Sequence, residues 1–238
     1  MTLTGKIALV TGGTRGIGRA IVERLAADGA EVFFTYRASS GAALEVARRT
    51  GATPVQADQS TLDAVDAMFA PLPGRLDILV NNAAVSTHIP LAALTPESFD
   101  RAMTINTKVP LMAIQRAAPL MPRGGRIINL STLNTAVPAP GLTLYCATKA
   151  ALEQITAVLS RELGPHGITV NTVSPGATDT DLLRATNPPE ALTRTAALTA
   201  LQRLGHPSDI ASVVAFLCTE DAGWLTGQNL RATGGLLV

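Results

Sequence analysis

Seven short apolar runs, separated by longer segments of helical periodicity, constrain this 238-residue chain more than any other feature. They are IALV (7–10), EVFFTY (31–36), ATPVQA (52–57), LDILV (76–80), GRIINL (125–130), ITVNTV (168–173) and GQNLRA (227–232). The spacers predict helices over about 16–28, 41–50, 61–70, 96–118 and 144–163. Continuously apolar strands alternating with helices are the pattern of a parallel sheet covered on both faces. Right-handed crossovers then give a doubly wound α/β fold. No Pro-, Gly- or Ser-rich linker interrupts the pattern, so residues 1–238 are expected to form one domain. In segment 181–206, NPPE breaks a run of Leu, Ala and Thr just after a strand end, where ligand-covering loops are inserted.

Hydrophobic residues make up 47% of the chain and charged residues 16%, enough for a sizeable core. A net charge of +1 without like-charge runs gives a nucleic-acid or acidic-membrane partner no support. No apolar run approaches bilayer length, and MTLTGK leads straight into IALV without a signal peptide, so a cytoplasmic protein is expected. Two distant cysteines, Cys146 and Cys218, fit that reducing compartment. His88, His166 and His206 are scattered without ligand spacing, so no metal is expected. Asn129-Leu-Ser131 matches a glycosylation sequon, but it lies inside an apolar strand pattern.

TGGTRGIG (11–18) follows the first strand and opens the first helix. Gly12, Gly16 and Gly18 would let backbone pass close to a diphosphate while the helix N-terminus supplies N–H donors. The second strand ends in Tyr36-Arg37, without the acid that holds a ribose 2′-hydroxyl. Arg37 and Arg15 are two cations suited to a 2′-phosphate, which favours NADP(H) over NAD(H).

Tyr145 and Lys149 stand at i and i+4, on one face of a helix. A tyrosine titrates near pH ~10, and a neighbouring ammonium stabilises its phenolate. Such a tyrosine can donate a proton to a carbonyl oxygen as hydride reaches the carbon, or accept it in reverse. Tyr145 follows the fifth strand, at the sheet's carboxyl edge, where open α/β sheets bind ligands.

In chain order, TGGTRGIG, Asp58, NNAA (81–84), Asn106, GRIINLST, YCATK, SPGATDTDL (174–182), RLGHPSDIASVVAFL and GWLTGQNLRATGG resemble the short-chain dehydrogenases/reductases. The subgroup is similar to 3-oxoacyl-[acyl-carrier-protein] reductases and related NADPH carbonyl reductases. The resemblance spans nearly the whole chain and implies a Rossmann-like sheet of about seven strands in a single domain. It implies Tyr145 as general acid/base, and Lys149 lowering its pKa and holding the nicotinamide ribose. Asn106 would anchor a water that relays protons to Lys149. The implied NADP(H) contacts are Gly12, Thr14, Arg15, Gly16, Ile17, Gly18 and Arg37, with Asp58 at the adenine and Asn82 and Ala83 along its ribose. Pro175, Gly176, Thr178 and Thr180 would serve the nicotinamide side. Family members that form tetramers pair helices like 98–118 and 145–163, which implies a homotetramer or homodimer.

Three positions depart from the family pattern: Ala84 replaces the glycine of NNAG, Thr233 replaces an acid before Gly234-Gly235, and the catalytic serine is displaced. The family serine stands thirteen residues before the tyrosine; here that residue is Thr132, with Ser131 one earlier. Adjacent side chains of an extended chain point apart, so both cannot aim at one carbonyl. A threonine hydroxyl has the same donor and acceptor capacity as serine. Thr132 is therefore expected to orient the substrate carbonyl, while Ser131 bonds backbone or the opposite face.

The leading expectation is an NADPH-dependent reductase that turns a ketone into a secondary alcohol. An alcohol, sugar or steroid dehydrogenase running oxidatively is the alternative within enzymes, and a non-catalytic NADP(H)-binding redox sensor the alternative outside them. A nucleotide-binding methyltransferase would leave Tyr145, Lys149 and the paired cations unexplained. The 181–206 segment, largely apolar with Arg184 and Arg194, permits an apolar ketone or an acyl carrier. His88 reads as a loop histidine near the pocket rim.

Overall fold

Because strand side chains alternate between faces, a strand covered on both sides is apolar on both, except where a buried polar group finds a partner. The computed structural model, which describes residues 2–86 and 88–236, shows that division directly. Strand β1 (Ile7–Val10) sends Ala8 and Val10 to one core and Leu9 to the other. Strand β2 (Glu31–Tyr36) sends Val32 and Phe34 one way and Phe33 the other. Helices α1 (Gly16–Ala27), α2 (Ser40–Thr50) and α9 (Pro207–Leu217) close the first core with Ile21, Leu25, Val46 and Val214. Helices α3 (Asp63–Phe69) and α5 (Val109–Ala117) close the second with Met68, Phe69 and Ile114.

The remaining strands are β3 (Thr53–Gln56), β4 (Ile78–Asn81), β5 (Arg126–Leu130), β6 (Thr169–Pro175) and β7 (Asn229–Ala232). The sheet runs β3-β2-β1-β4-β5-β6-β7, with every pair parallel. This is a Rossmann-like doubly wound fold. Its direction reverses between β1 and β4, and a crevice opens at their carboxyl ends. No described helix is long and apolar enough to cross a membrane, and no described group of three or more His, Cys, Asp or Glu could hold a metal.

Helix α6 (Thr143–Leu163) is tied to the sheet by a buried polar row. Asn81, Asn129 and Thr172 stand side by side on β4, β5 and β6. The Asn81 amide donates to Asn129 at 2.9 Å, the Asn129 amide donates to Thr156 of α6 at 2.8 Å, and the Thr172 and Thr156 hydroxyls meet at 2.9 Å. The sequon residue Asn129 is thus wholly buried.

The single helix expected over 96–118 is instead three pieces. Helix α4 (Pro96–Met103) begins with a Thr95–Ser98 capping box, and a π-turn over Thr104–Lys108 separates it from α5. Pro110 supplies the reason: it has no N–H for the Asn106 carbonyl four residues back, and its ring crowds that carbonyl, so the helix widens there. Segment 181–206 contains two short helices, α7 (Asp181–Thr186) and α8 (Pro189–Leu198).

Gly12 adopts φ +72° and Gly16 φ +53°, conformations that favour glycine. Gly18 is needed for close approach. A Cβ there would stand 2.1 Å from the Gly12 carbonyl oxygen and 2.5 Å from Asn82 Nδ2. Gly41, on α2, faces open space. In urea denaturation, Gly18→Ala is expected to lose at least ~1–3 kcal/mol by overpacking. Gly41→Ala should hold its stability or gain up to ~1 kcal/mol from helix propensity. Equal stability of the two variants would contradict this packing.

Candidate active site

The glycine loop is braced from below. Thr11 Oγ1 accepts the Asn82 and Ala83 amides, both at 3.0 Å, and the Gly12 amide donates to Thr35 Oγ1 at 3.0 Å. The Asn82 side-chain amide donates to the Thr11 and Gly12 carbonyls at 2.9 and 3.2 Å. Asn82, expected at the adenosine ribose, thus has its amide committed to the loop. Thr14 is half-buried, while Arg15 is extended and exposed just before α1, which begins Gly16-Ile17-Gly18.

Arg37 projects exposed from the end of β2, its carbonyl accepting from the Gln56 amide at 3.1 Å. Asp58 Oδ1 accepts the Ser60 amide at 2.9 Å. That bond holds the Asp58 carboxyl below its ordinary range, assisted by the charges of Arg37 and of Arg101 on α4. Arg101 had no sequence signal, because its closeness to Asp58 arises only when α4 packs.

On the opposite side, Thr180 caps α7 by accepting the Leu183 amide at 3.2 Å. Its methyl lies 3.3 Å from where a Gly16 Cβ would stand, so this loop rests on the glycine loop. Pro175 ends β6, and a Cβ on Gly176 would come within 3.0 Å of Thr233 Cα, so Gly176 makes room for Thr233. Thr178 is buried, bonds the Gly176 carbonyl at 3.1 Å and bridges to Gly205. His88 is exposed, its ring against Gly141.

Asn106 lies buried in the π-turn. Its amide nitrogen donates to the Val85 carbonyl at 2.9 Å and to Thr148 Oγ1 at 3.0 Å, and its oxygen accepts the Val85 amide at 2.9 Å. Thr148 in turn donates to the Tyr145 carbonyl at 2.7 Å. The Asn106 side chain therefore fastens the loop after β4 to α6. Thr148, inside YCATK, is a link that the sequence reading missed.

Lys149 is 2% exposed, and its Nζ donates to the Leu130 carbonyl at 2.7 Å, at the end of β5. Burial lowers its ammonium to about 8, opposed by the Glu153 carboxylate. Tyr145 is half-buried, and desolvation pushes its phenol up to about 12, with the Thr132 hydroxyl pulling the other way. Burial of the phenol thus opposes the effect expected of Lys149 on Tyr145. Nζ is turned to a strand carbonyl, and burial of the phenol outweighs neighbouring charge.

Thr132 continues extended beyond β5 (φ −158°, ψ 150°), and its Oγ1 accepts the Asn134 amide at 3.2 Å, which leaves its own hydrogen to donate. Ser131 donates instead to the carboxylate of Glu153. Its partner is therefore neither backbone nor a group on the opposite face, but the helix that also carries Tyr145.

Fold and glycine loop define a protein of the Rossmann-like, doubly wound class. A family model described as enoyl-(acyl carrier protein) reductase matches residues 12–237. The chain belongs to the short-chain dehydrogenase/reductase family, near its 3-oxoacyl-[acyl-carrier-protein] reductase-like members. It is 41% identical over 225 residues to the cyclic-di-GMP-binding biofilm dispersal mediator protein of Escherichia coli (strain K12), covering 94% of both. It is 37% identical over 250 residues to the 3-oxoacyl-[acyl-carrier-protein] reductase FabG of Vibrio cholerae serotype O1, covering 99% of both. The crystal structure of the angucycline C-6 ketoreductase LanV with bound NADP is similar at TM-score 0.93 and 44% identity, covering 99% of this chain and 97% of that one.

The Asn106 strut has a measurable consequence. Asn106→Ala strands the Val85 amide and carbonyl, while the Thr148 hydroxyl keeps its bond to the Tyr145 carbonyl, and should lower unfolding free energy by ~2–6 kcal/mol, at ~1–3 kcal/mol per buried unsatisfied group. Chemical denaturation within ~0.5 kcal/mol of the wild type, the range of ordinary surface changes, would contradict the strut.

Proposed function

We propose that this protein is an NADPH-dependent reductase that converts a ketone to a secondary alcohol. The observation that carries the reading is that Thr132, just beyond β5, meets Tyr145 of α6, which also carries Lys149, at the same sheet edge as the glycine loop. Bound NADPH would supply hydride to the carbonyl carbon. Gly12, Gly16, Gly18 and the N-terminus of α1 suit its diphosphate, and the narrow space at Gly18 fits backbone built for close approach. Arg15 and Arg37 suit the 2′-phosphate, Asp58 the adenine, and Lys149 and Thr180 the nicotinamide half.

The chain's own groups then handle the proton. Thr132 donates a hydrogen bond to the carbonyl oxygen and fixes its direction. A phenol held near 12 keeps its proton at neutral pH, so Tyr145 starts as the acid that reduction requires. As the proton leaves, the Lys149 ammonium stabilises the phenolate. The reverse, oxidative reaction uses the same groups. That LanV is named a ketoreductase and was solved with NADP supports the reductive reading. Segment 181–206 would cover the substrate, with exposed Leu182, Leu198 and Leu201 offering apolar contact. Leu111, Ala151, Ile155, Val158 and Leu159 line an apolar groove along α5 and α6, which suits pairing into a homodimer or homotetramer.

With NADPH and a reducible ketone, Thr132→Ala should lose at least ~10²-fold in kcat/KM, the lower end for a positioned proton-handling group, and Ser131→Ala less than ~10-fold. The opposite ranking would assign the carbonyl to Ser131. NADPH binding with no ketone-dependent oxidation would favour the redox sensor.

A further inference from the structure

Residues 130–135 are stitched to α6 at successive points. Lys149 holds the Leu130 carbonyl at 2.7 Å, and Cys146 Sγ contacts the Asn134 carbonyl at 3.3 Å. Between them, a single carboxylate oxygen of Glu153, Oε1, accepts from Ser131 Oγ and, at 2.8 Å, from Thr135 Oγ1. Thr135 Oγ1 also lies 3.0 Å from the Thr132 carbonyl. The two hydroxyls flank Thr132 on either side. Tyr145, Lys149 and Glu153 are spaced four apart, so the clamp sits on the stripe of α6 that carries the proposed acid. Of the three hydroxyls in 131–135, Ser131 and Thr135 are bound by Glu153, and that of Thr132 reaches the Tyr145 phenol.

We infer that Glu153 is a positioning residue, whose Oε1 clamps Ser131 and Thr135 so that the Thr132 hydroxyl is held at the reacting carbonyl. The inference rests on the reductase reading above. It gives Ser131 a task other than touching substrate. Positioning errors of about an ångström cost such sites ~10²-fold, so a two-point clamp beside the carbonyl-orienting group has a large lever. Both hydroxyls donate to one oxygen, and an amide oxygen offers the same two lone pairs. Glu153→Gln can therefore keep the clamp while removing the charge, whereas Glu153→Ala removes both.

The test compares wild type, Glu153→Ala, Glu153→Gln and Ser131→Ala/Thr135→Ala with NADPH and a reducible ketone, and measures NADPH affinity separately by fluorescence titration. Glu153→Ala and the double variant should each lose ~10- to 10²-fold in kcat, on the scale of such misplacement. The NADPH dissociation constant should stay within about twofold, under ~0.4 kcal/mol, and Glu153→Gln should recover most of kcat. Amide hydrogen exchange across 132–137 should quicken in Glu153→Ala and stay slow in Glu153→Gln. This readout works without turnover, so an inactive wild type would overturn the reductase reading while leaving the clamp testable. Glu153→Ala at wild-type kcat, Glu153→Gln as impaired as Glu153→Ala, or unchanged exchange in Glu153→Ala would each overturn the clamp. If Glu153→Ala fails to fold, the double variant decides the matter by the same kcat and exchange criteria.

Discussion

The hydrogen bond from the Lys149 ammonium to the Leu130 carbonyl is the contact on which the site depends. A buried ammonium is costly unless its protons are taken up, and here the strand end takes one at 2.7 Å. The bond pins the second turn of α6 to the point where β5 ends. Everything proposed for chemistry is measured from that pin: Tyr145 one turn earlier, Glu153 one turn later, and Thr132 two residues beyond the accepting carbonyl. The Asn81–Asn129–Thr156 row fixes the rest of α6 to the sheet, and Asn106, through Thr148, fixes it to the loop after β4. The proposed proton donor thus sits on a helix held from three directions, which suits a group that has to meet a carbonyl reproducibly.

The strands were legible in the sequence because a doubly covered parallel sheet makes them apolar on both faces over most of their length. IALV and EVFFTY match β1 and β2 at both ends, whereas the ends of β6 and β7 depend on how they pair and shift by one or two residues. The sequence over 96–118 reads as one continuous helix because its apolar spacing continues through the break. The π-turn comes from Pro110 removing one donor, an event local enough to leave the periodicity intact. Tyr145 and Lys149 stood out because four-residue spacing on a helix is visible in one dimension. Glu153, Thr148 and Arg101 did not, because the groups that give them a task (Ser131 and Thr135, Asn106, and Asp58) lie on other elements.

The electrostatics were the least legible part. The sequence places a cation beside a tyrosine, and charge proximity alone would lower the phenol's pKa. Packing reverses the sign, since burial disfavours the phenolate and the ammonium together, leaving Tyr145 high and Lys149 low. A phenol that keeps its proton, beside a lysine that at about 8 is still an ammonium at neutral pH, suits a donor awaiting a carbonyl. The family gives the frame for this chemistry, within which this chain carries a threonine at position 132 between two hydroxyls held by Glu153.

The claim that Tyr145 delivers the proton during ketone reduction is tested most directly by following reduced-nicotinamide absorbance across a ketone panel, in wild type and Tyr145→Phe. The account predicts ketone-dependent NADPH oxidation by the wild type with at least one ketone. Tyr145→Phe should bind NADPH normally yet turn over at least ~10²-fold more slowly, as expected on removal of a general acid. Undiminished turnover by Tyr145→Phe would contradict it.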